Sequence, residues 1–510
     1  MEVPLVLVAD ATAPVDIAAT VEEDGRGLRI SWSVRNPGRR AVSLRAVGVR
    51  IPVSPKLVLE HGWQSWSPVR VCPPGDLRPD RARAPGWRRA LYCADGSSAA
   101  RRVLGDHFLV SDDGIVGFLS ALHHLGTVEV EPSGRVTAWA LFDGVSLGPG
   151  LERELDPIWV AHGDSGECFA EYADRWASTG GSRLVAAPAG WCSWYRYGAE
   201  TTPTQVRAQI GPAAAGGLDY LQIDDGWQAA VGDWAACSPR WQRRLGAVAD
   251  DIRAAGLRAG IWTAPFVVSE TSKVAMNHPE WLVHDRRGPV KAMHHPTLWG
   301  GWAYALDLTN PAVLEHLSAA FSGLVALGFD VHKVDFLYAG ALRGRRHDPS
   351  ATRAEALRAG LGAIRAAVGD RGFVIACGCP LGPAAGLVDA MRVSPDTSTT
   401  WQPAWSAPGF ADAAPAGVNA VRASSLRAPL HGRLWLNDPD CLLLRHPGDR
   451  RTPAQRGAAL AAAATAAPYV TLSDDLRSYE AEDWALVTSI RAAATGPPAP
   501  SDPFVELALR

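Results

Sequence analysis

The first third of the chain alternates hydrophobic and polar residues in short runs. Residues 28–34 (LRISWSV) and 126–130 (GTVEV) place polar side chains between apolar or small ones, which is the period of a half-buried β-strand. Gly, Pro and Asn separate these runs, as they do in turns. The pattern predicts a β-sandwich over residues 1–180, and residues 178–188 (STGGSRLVAAP) are predicted to be a linker.

From residue 190 the pattern changes to short apolar runs that alternate with amphipathic segments of helix length, such as 311–327, 351–368 and 453–466. This alternation predicts parallel βα units, and eight units are the number in a (β/α)8 TIM barrel. We therefore expect a barrel over residues 181–495 and a short tail over 496–510. The eight runs are GWCSWY (190–195), YLQIDD (220–225), RAGIWTAP (258–265), HKVDF (332–336), FVIACG (373–378), AMRVSPD (390–396), RLWLNDPD (433–440) and YVTLSDD (469–475).

Seven of these runs carry polar or aromatic side chains at or near their C-terminal ends, where the active sites of barrels lie. Clustered carboxylates cost stability unless a ligand or a reaction uses them, so they indicate a functional site. Lys333 lies two residues before Asp335, on the same face of an extended segment, and is predicted to face the same mouth. The end residues are Trp194, Asp224, Asp225, Trp262, Asp335, Asp396, Asp438, Asp440, Asp474 and Asp475.

Composition narrows the classes of partner. The formal net charge is −3 and no run of Lys or Arg occurs, so nucleic acid and anionic membranes are not expected partners. No stretch approaches the ~18 apolar residues of a membrane span, and the N-terminus lacks a basic region, which predicts a cytoplasmic protein. The 20 tryptophans are consistent with a carbohydrate ligand, although a large core also uses Trp.

Neither a metal nor another cofactor is predicted. The eight cysteines are scattered, and the one close pair, Cys377 and Cys379, lacks the spacing of a zinc site, so free thiols are expected. The adjacent pairs His123–His124 and His294–His295 are interpreted as solvated loop histidines. Two carboxylates across a mouth with aromatic walls, without a metal or phosphate motif, indicate glycoside hydrolysis.

Eight motifs, in this order along the chain, carry a family resemblance. The chain resembles the α-galactosidases of glycoside hydrolase family 36, in the clan shared with family 27. The motifs are HGWQSWSP (61–68), GWCSWYRYG (190–198), QIDDGWQ (222–228), AGIWTAPFVVS (259–269), KVDF (333–336), CGCPLGP (377–383), MRVSPD (391–396) and WLNDPDCLLLR (435–445).

The resemblance implies a retaining mechanism with two carboxylates. Asp335 corresponds to the nucleophile and Asp396 to the general acid/base. Lys333 is expected to lower the pKa of Asp335 and to reach a ring hydroxyl of the sugar. Arg392 precedes Asp396 by four residues. It is expected to turn towards substrate hydroxyls, because a guanidinium beside Asp396 would lower the pKa of this general acid.

The resemblance also implies substrate-binding residues. Asp224 and Asp225 correspond to the pair that binds the galactose O4 and O6 hydroxyls. Trp194 and Trp262 correspond to residues that form the aromatic walls of the site. Trp63 or Trp66 is expected to extend from the sandwich into the site; the alternative for each is a place in the core of the sandwich. These motifs predict a site that binds an oligosaccharide or small α-galactoside.

Two departures from the family affect these expectations. Relatives recognise the 2-hydroxyl with a Ser/Gly-rich segment after the cysteine that corresponds to Cys377, whereas this chain continues Gly378-Cys379-Pro380. A C-terminal β-domain is expected to be absent or vestigial, which would leave one flank of the barrel open and leads us to expect a homo-oligomer.

The sequence thus predicts an α-galactosidase-like hydrolase, and leaves open an α-N-acetylgalactosaminidase, a galactosyl transferase or a catalytically silent carbohydrate-binding protein. A metal-dependent sugar isomerase would need a set of His, Glu and Asp ligands.

Overall fold

The computed structural model describes residues 5–94, 102–493, 497, 498 and 504. The predicted tail over 496–510 therefore lies almost wholly outside the described residues. The first thirteen strands join into one sheet with the order β1-β4-β11-β10-β7-β5-β8-β9-β13-β3-β12, in which β2 also pairs with β3 and β6 with β5. They are β1 (Val6–Ala11), β2 (Asp16–Asp24), β3 (Gly27–Arg35), β4 (Val42–Ile51), β5 (Val58–His61), β6 (Val69–Cys72), β7 (Val103–Asp106), β8 (Phe108–Ser111), β9 (Gly114–Phe118), β10 (Leu125–Val130), β11 (Val136–Leu147), β12 (Glu152–Glu154) and β13 (Ile158–His162).

This sheet folds back over itself. Strands β3 and β4 lie far apart in the strand order, yet Ile30 and Trp32 of the first share one hydrophobic core with Leu44 and Val47 of the second. Alternating burial along β3, where Ile30, Trp32 and Val34 are buried, follows from the period of two that the sequence shows. The two-layered packing is that of the predicted sandwich, but the strands form one continuous sheet.

A second sheet contains eight parallel strands in chain order, and the last of them pairs with the first. Leu442, four residues beyond the end of the seventh strand, forms an isolated parallel bridge with Leu472 of the eighth. This is the predicted βα barrel. Its strands are β14 (Gly190–Cys192), β15 (Tyr220–Ile223), β16 (Arg258–Thr263), β22 (Phe329–Val334), β23 (Phe373–Ala376), β24 (Ala390–Arg392), β25 (Leu436–Asp438) and β26 (Thr471–Leu472).

An insertion separates the third and fourth barrel strands. It contains a three-stranded antiparallel sheet, in the order β17-β21-β20, and a two-stranded hairpin. The hairpin between β20 and β21 brings residues 294–299 over the mouth of the barrel. The strands are β17 (Val267–Ser269), β18 (His284–Asp285), β19 (Gly288–Pro289), β20 (Lys291–His295) and β21 (Gly301–Ala305).

The helices follow the predicted segments to within two residues at each end, because local caps set their bounds. Thr352 and Thr452 each form a capping box with the residue three positions later, and such boxes satisfy two free backbone N–H groups. The helices are α1 (Gly86–Tyr92), α2 (Ser165–Gly180), α3 (Trp194–Tyr197), α4 (Pro203–Ala215), α5 (Leu245–Ala254), α6 (Lys273–Asn277), α7 (Pro311–Ala326), α8 (Arg353–Val368), α9 (Leu381–Ala384), α10 (Gly417–Leu426), α11 (Pro453–Thr465) and α12 (Ala481–Ala493).

Helix α2 corrects the predicted linker. Residues 178–180 are its last turn, and the extended segment begins at Gly181, whose φ of 94° favours glycine. Trp176 of this helix is fully buried and makes an edge-to-face contact with Trp435, with ring centroids 5.7 Å apart. The helix therefore packs the sheet of the first third against the barrel. None of the helices in the described ranges is long and apolar enough to cross a membrane.

Candidate active site

A cavity of about 390 Å³ opens at the carboxyl ends of the barrel strands, which is a volume suited to a small ligand. Nine of the predicted site residues line it, and Trp63 and Cys377 do not. The nine are Trp66, Trp194, Asp224, Asp225, Trp262, Lys333, Asp335, Arg392 and Asp396. The predicted convergence of strand ends on one mouth is therefore observed for these nine residues and for Asp440, whereas Asp438, Asp474 and Asp475 do not line the cavity. Asp474 instead accepts from the Leu444 and Arg445 amides, and Asp475 pairs with Arg477.

Asp335 lies at the base of this cavity and is held by fixed donors. It follows β22 directly and is 6% exposed. The Trp262 indole donates to its Oδ2 (3.0 Å), and the Phe336 amide donates to its Oδ1 (2.8 Å). Phe336 has a φ of 54°, a left-handed conformation that is rare for a bulky residue and is found where a site requires it. The carboxylate is thus held in one orientation.

Asp396 occupies a more open position. Its side chain is 40% exposed, and it lies four residues beyond the end of β24. Its Oδ1 accepts from the Arg392 guanidinium (2.9 Å) and from the Trp66 indole (3.2 Å). Trp66 comes from the loop after β5, so the sandwich contributes to the mouth of the barrel.

Asp224 and Lys333 form a buried ion pair. The Lys333 Nζ lies 3.0 Å from Asp224 Oδ2, and the same oxygen accepts from the Gln222 amide (2.8 Å) and the Cys192 thiol (3.2 Å). Burial opposes the charge on Lys333, but the Asp224 carboxylate outweighs it, so the pKa of Lys333 is raised well above its usual value. Lys333 is therefore ionised and directed to Asp224.

The pKa of Asp335 depends on burial and on the neighbouring Lys333, which pairs with Asp224. Burial raises the pKa of Asp335, and this effect exceeds the lowering by Lys333 and by the Trp262 indole. Lys333 thus lowers the pKa of Asp335, as predicted, but burial outweighs this effect, and the short contact of the Lys333 ammonium is with Asp224.

Asp225 lies beside Asp224 on the turn that follows β15. Its Oδ1 accepts from the Gln228 amide (2.5 Å) and its Oδ2 from the Trp299 indole (3.0 Å). Burial raises the pKa of Asp225. In a regular strand adjacent residues point to opposite faces, and both carboxylates reach one cavity because β15 ends at Ile223.

Arg392 was predicted to point towards the substrate, but its guanidinium contacts two carboxylates. Its Nη2 lies 2.9 Å from Asp396 and 2.6 Å from Asp440 Oδ2. A buried guanidinium requires compensating charge, and the two carboxylates supply it. The expectation that Arg392 turns away from Asp396 is therefore wrong.

Trp63 and Cys377 are placed behind the cavity. Trp63 is 3% exposed, and its indole donates to the Leu91 carbonyl (3.2 Å), so it is a core residue. Cys377 is buried, and its thiol lowers the pKa of the Asp335 carboxyl. Burial raises the pKa of this thiol well above its usual value, so Cys377 is a neutral thiol behind the cavity.

The histidine interpretation is also corrected. His124 is fully buried and accepts from the Asp156 amide (3.0 Å), while His294 and His295 lie on β20 and line the cavity. Within the described ranges, no group of three or more His, Cys, Asp or Glu side chains is arranged to hold a metal ion.

Several residues that line the cavity were given no role from the sequence, although Asp440 was among the predicted strand-end carboxylates. Asp440 and Tyr195 lie next to Arg392, and their signal was present in the motifs WLNDPDCLLLR and GWCSWYRYG. Trp299 and Trp405 had no such signal, because each is presented by a loop. Trp405 is 61% exposed at the rim.

Comparisons with known proteins find similarity to α-galactosidases. The Melibiase family model matches residues 189–336, which include Asp224, Lys333 and Asp335. A curated α-galactosidase from Escherichia coli is 27% identical over 142 residues, and AgaA from Geobacillus stearothermophilus is 26% identical over 121 residues. These segments are 26% and 22% of this chain and only 18% and 16% of the two relatives.

Solved structures extend the similarity to nearly the whole chain. TtGalA, an α-galactosidase from Thermus thermophilus in complex with p-nitrophenyl α-D-galactopyranoside, has a TM-score of 0.76 and 27% identity, covering 96% of this chain and 94% of its own. The family 36 α-galactosidase AgaA from Geobacillus stearothermophilus shares the fold, with a TM-score of 0.62 and 14% identity over 94% of this chain and 67% of its own. The chain is therefore similar, as its motifs predicted, to the α-galactosidases of glycoside hydrolase family 36.

Proposed function

We propose that the protein is a retaining glycoside hydrolase that releases terminal α-linked galactose by double displacement. Asp335 attacks the anomeric carbon and forms a β-linked glycosyl-enzyme, while Asp396 protonates the leaving oxygen. Asp396 then removes a proton from the water that releases the sugar. The substrate is an oligosaccharide or a small α-galactoside.

The observation that carries this proposal is the contrast between two carboxylates in one cavity. Asp335 is 6% exposed and fixed by the Trp262 indole and the Phe336 amide, as a nucleophile must be to meet a carbon atom. The Asp396 side chain is 40% exposed, so it can reach a leaving group that departs into solvent. The two positions therefore suit an attacking group and a proton donor respectively.

The remaining polar groups support recognition of a hydroxylated ligand. Asp224, Asp225 and Lys333 present charge in a buried part of the cavity, where they would bind the O4 and O6 hydroxyls of galactose and a neighbouring ring hydroxyl. Trp194 and Trp262 supply aromatic surface for the C–H face of a sugar. TtGalA also forms a complex with stachyose, which supports an oligosaccharide substrate here.

A panel of aryl glycosides tests the proposal. We expect turnover of p-nitrophenyl α-galactoside, and none of its β-anomer or its α-glucoside. Preference for the 2-acetamido analogue would instead favour an α-N-acetylgalactosaminidase. One relative, from Flavonifractor plautii and 26% identical over 156 residues, is named an A type blood α-D-galactosamine galactosaminidase, whose substrate also carries nitrogen at C2. Transfer products with excess sugar acceptor would identify a galactosyl transferase. Galactose binding without turnover of any glycoside would identify a silent binding protein.

The expected homo-oligomer, the cytoplasmic location and the domain bounds at residues 180 and 495 stay predictions.

A further inference from the structure

Asp440 is a buried carboxylate to which the proposed mechanism gives no role. It lies two residues beyond the end of β25 and is 4% exposed. Its φ of 80° is left-handed, and a non-glycine residue keeps such a conformation only where its surroundings hold it. The left-handed backbone at Asp440 is therefore a strained conformation that places a carboxylate at this position.

The contacts of Asp440 lead directly to the proposed proton donor. Its Oδ2 lies 2.6 Å from Arg392 Nη2, and the same nitrogen lies 2.9 Å from Asp396 Oδ1. Oδ2 also accepts from the Thr397 amide (2.7 Å) and from the Tyr195 hydroxyl. Arg392 is therefore shared between two carboxylates, and its contact with the buried one is the shorter.

The contact between Arg392 and Asp440 bears on two opposing requirements at Asp396. A guanidinium in contact with a carboxylate favours the ionised form, yet a general acid must hold its proton until the leaving oxygen takes it. Arg392 alone beside Asp396 would therefore oppose catalysis. A second carboxylate on Arg392 cancels its charge.

We propose that Asp440 is a positioning residue that neutralises Arg392 and thereby allows Asp396 to hold the proton that it gives to the leaving oxygen. This inference rests on the proposed function, because it assigns Asp396 as the general acid. Asp440 itself touches no reacting atom and acts through Arg392.

The charges around Asp440 are consistent with this role. Burial raises its pKa to about 6, while Arg392 lowers it and the Asp396 and Asp438 carboxylates raise it. Lys333 adds a weaker lowering effect. Above about pH 6 the Asp440 carboxylate is therefore ionised and compensates Arg392.

Two further titratable groups contact Asp440 without adding charge. Burial raises the pKa of Tyr195 and of Cys441 well above their usual values. Both are neutral near pH 7, so Arg392 is the main cation that faces Asp440.

The pH profile of Asp440→Asn tests the proposal. The amide has the same size and can accept the same hydrogen bonds, but it removes the negative charge. The alkaline limb of kcat/KM for methyl α-galactoside, whose leaving group needs a proton, should move to lower pH by at least about one unit, the shift that a charge within ~4–6 Å produces. The rate of glycosyl-enzyme formation from 2,4-dinitrophenyl α-galactoside, whose leaving group needs no proton, should change by less than about threefold.

Two other variants keep the test decisive if Asp440→Asn folds poorly. Tyr195→Phe removes a hydrogen bond to the same oxygen without changing charge, so its alkaline limb should stay in place. Arg392→Gln removes the cation and leaves Asp396 beside Asp440, so its limb should move to higher pH. An alkaline limb of Asp440→Asn that coincides with that of the wild type, or a limb of Arg392→Gln that moves to lower pH, would overturn the inference.

Failure of this inference is distinct from failure of the proposed function. If the wild type hydrolyses p-nitrophenyl α-galactoside but the variants do not move the alkaline limb, the role of Asp440 is wrong and the hydrolase stands. If the wild type hydrolyses no α-galactoside, the proposed function fails first.

Discussion

Replacement of Asp224 by Asn should destabilise the protein and impair substrate binding by separate physical effects. The Asp224 carboxylate is 2% exposed and lies 3.0 Å from the Lys333 ammonium. The Asn side chain preserves size but leaves the ammonium buried without a counter-charge. Removing one partner of a buried ion pair costs about 3–5 kcal/mol of folding free energy.

The pH dependence of this loss has a definite sign. The folded-state pKa of Lys333 is raised, so the ion pair contributes its full stability below the pKa of an unfolded lysine, about 10.4. That contribution is lost as the pH rises through the folded-state pKa. The destabilisation by Asp224→Asn should therefore be complete at pH 7.

Urea unfolding at pH 7, followed by tryptophan fluorescence, measures the loss. The matched control is Asp370→Asn, which removes a 92% exposed carboxylate that pairs with Arg183 and should leave the urea midpoint unchanged. The double variant Asp224→Asn/Lys333→Met should regain part of the lost stability, because it removes the uncompensated charge. Equal midpoints for Asp224→Asn and the wild type would refute the account of the pair.

The effect on catalysis is measured separately. If Asp224 binds a galactose hydroxyl, kcat/KM for p-nitrophenyl α-galactoside should fall by about 2–5 kcal/mol of transition-state binding, which is about 30-fold to 5,000-fold. The assay is run well below the urea midpoint of the variant, so that loss of fold does not contribute. An unchanged kcat/KM would remove Asp224 from the substrate-binding site.

Three further predictions concern the mouth of the cavity. Trp66→Phe removes the indole donor to Asp396 (3.2 Å). It should lower kcat/KM for raffinose by about 10-fold to 150-fold, since a hydrogen bond to a charged group contributes about 1.5–3 kcal/mol; an unchanged value would exclude a catalytic role for this contact. Trp405→Ala removes a 61% exposed ring at the rim and should raise KM for raffinose while KM for α-galactosyl fluoride stays constant, and a rise for both would exclude a role in leaving-group binding. Dialysis against a chelator should leave the hydrolysis rate unchanged, and loss that zinc or magnesium restores would support a metal-dependent enzyme.

The hydrophobic periodicity of the sequence identified the strands and helices, because each of these elements is specified by residues that are close together along the chain. The eight apolar runs became eight parallel strands. Each strand ends before its run does, because the polar residues at the end of the run leave the sheet to form the mouth, and β22 also begins three residues before its run. Helices such as α8 and α11 begin where Thr352 and Thr452 cap them, and these caps are visible in the sequence. The linker was predicted too early because Trp176 anchors the last turn of α2.

The site residues that sequence reasoning left open or placed wrongly depend on long-range contacts. Trp63 and Trp66 are three residues apart in one motif, yet the first is in the core and the second contacts Asp396, 330 residues away. Spacing along a strand suggested Asp335 as the partner of Lys333, whereas the ammonium pairs with Asp224 of another strand end. Such choices are made by packing between elements, which one sequence does not display.

The anomeric configuration of the azide product tests the central assignment of Asp335 and Asp396 most directly. With Asp396→Ala the nucleophile is intact, so an activated α-galactoside first forms a β-linked glycosyl-enzyme and azide inverts it again. With Asp335→Ala azide can only displace the leaving group once. The account predicts α-galactosyl azide from Asp396→Ala and, where azide rescues it, β-galactosyl azide from Asp335→Ala. The β-product from Asp396→Ala, or the α-product from Asp335→Ala, would contradict it and reverse the two roles.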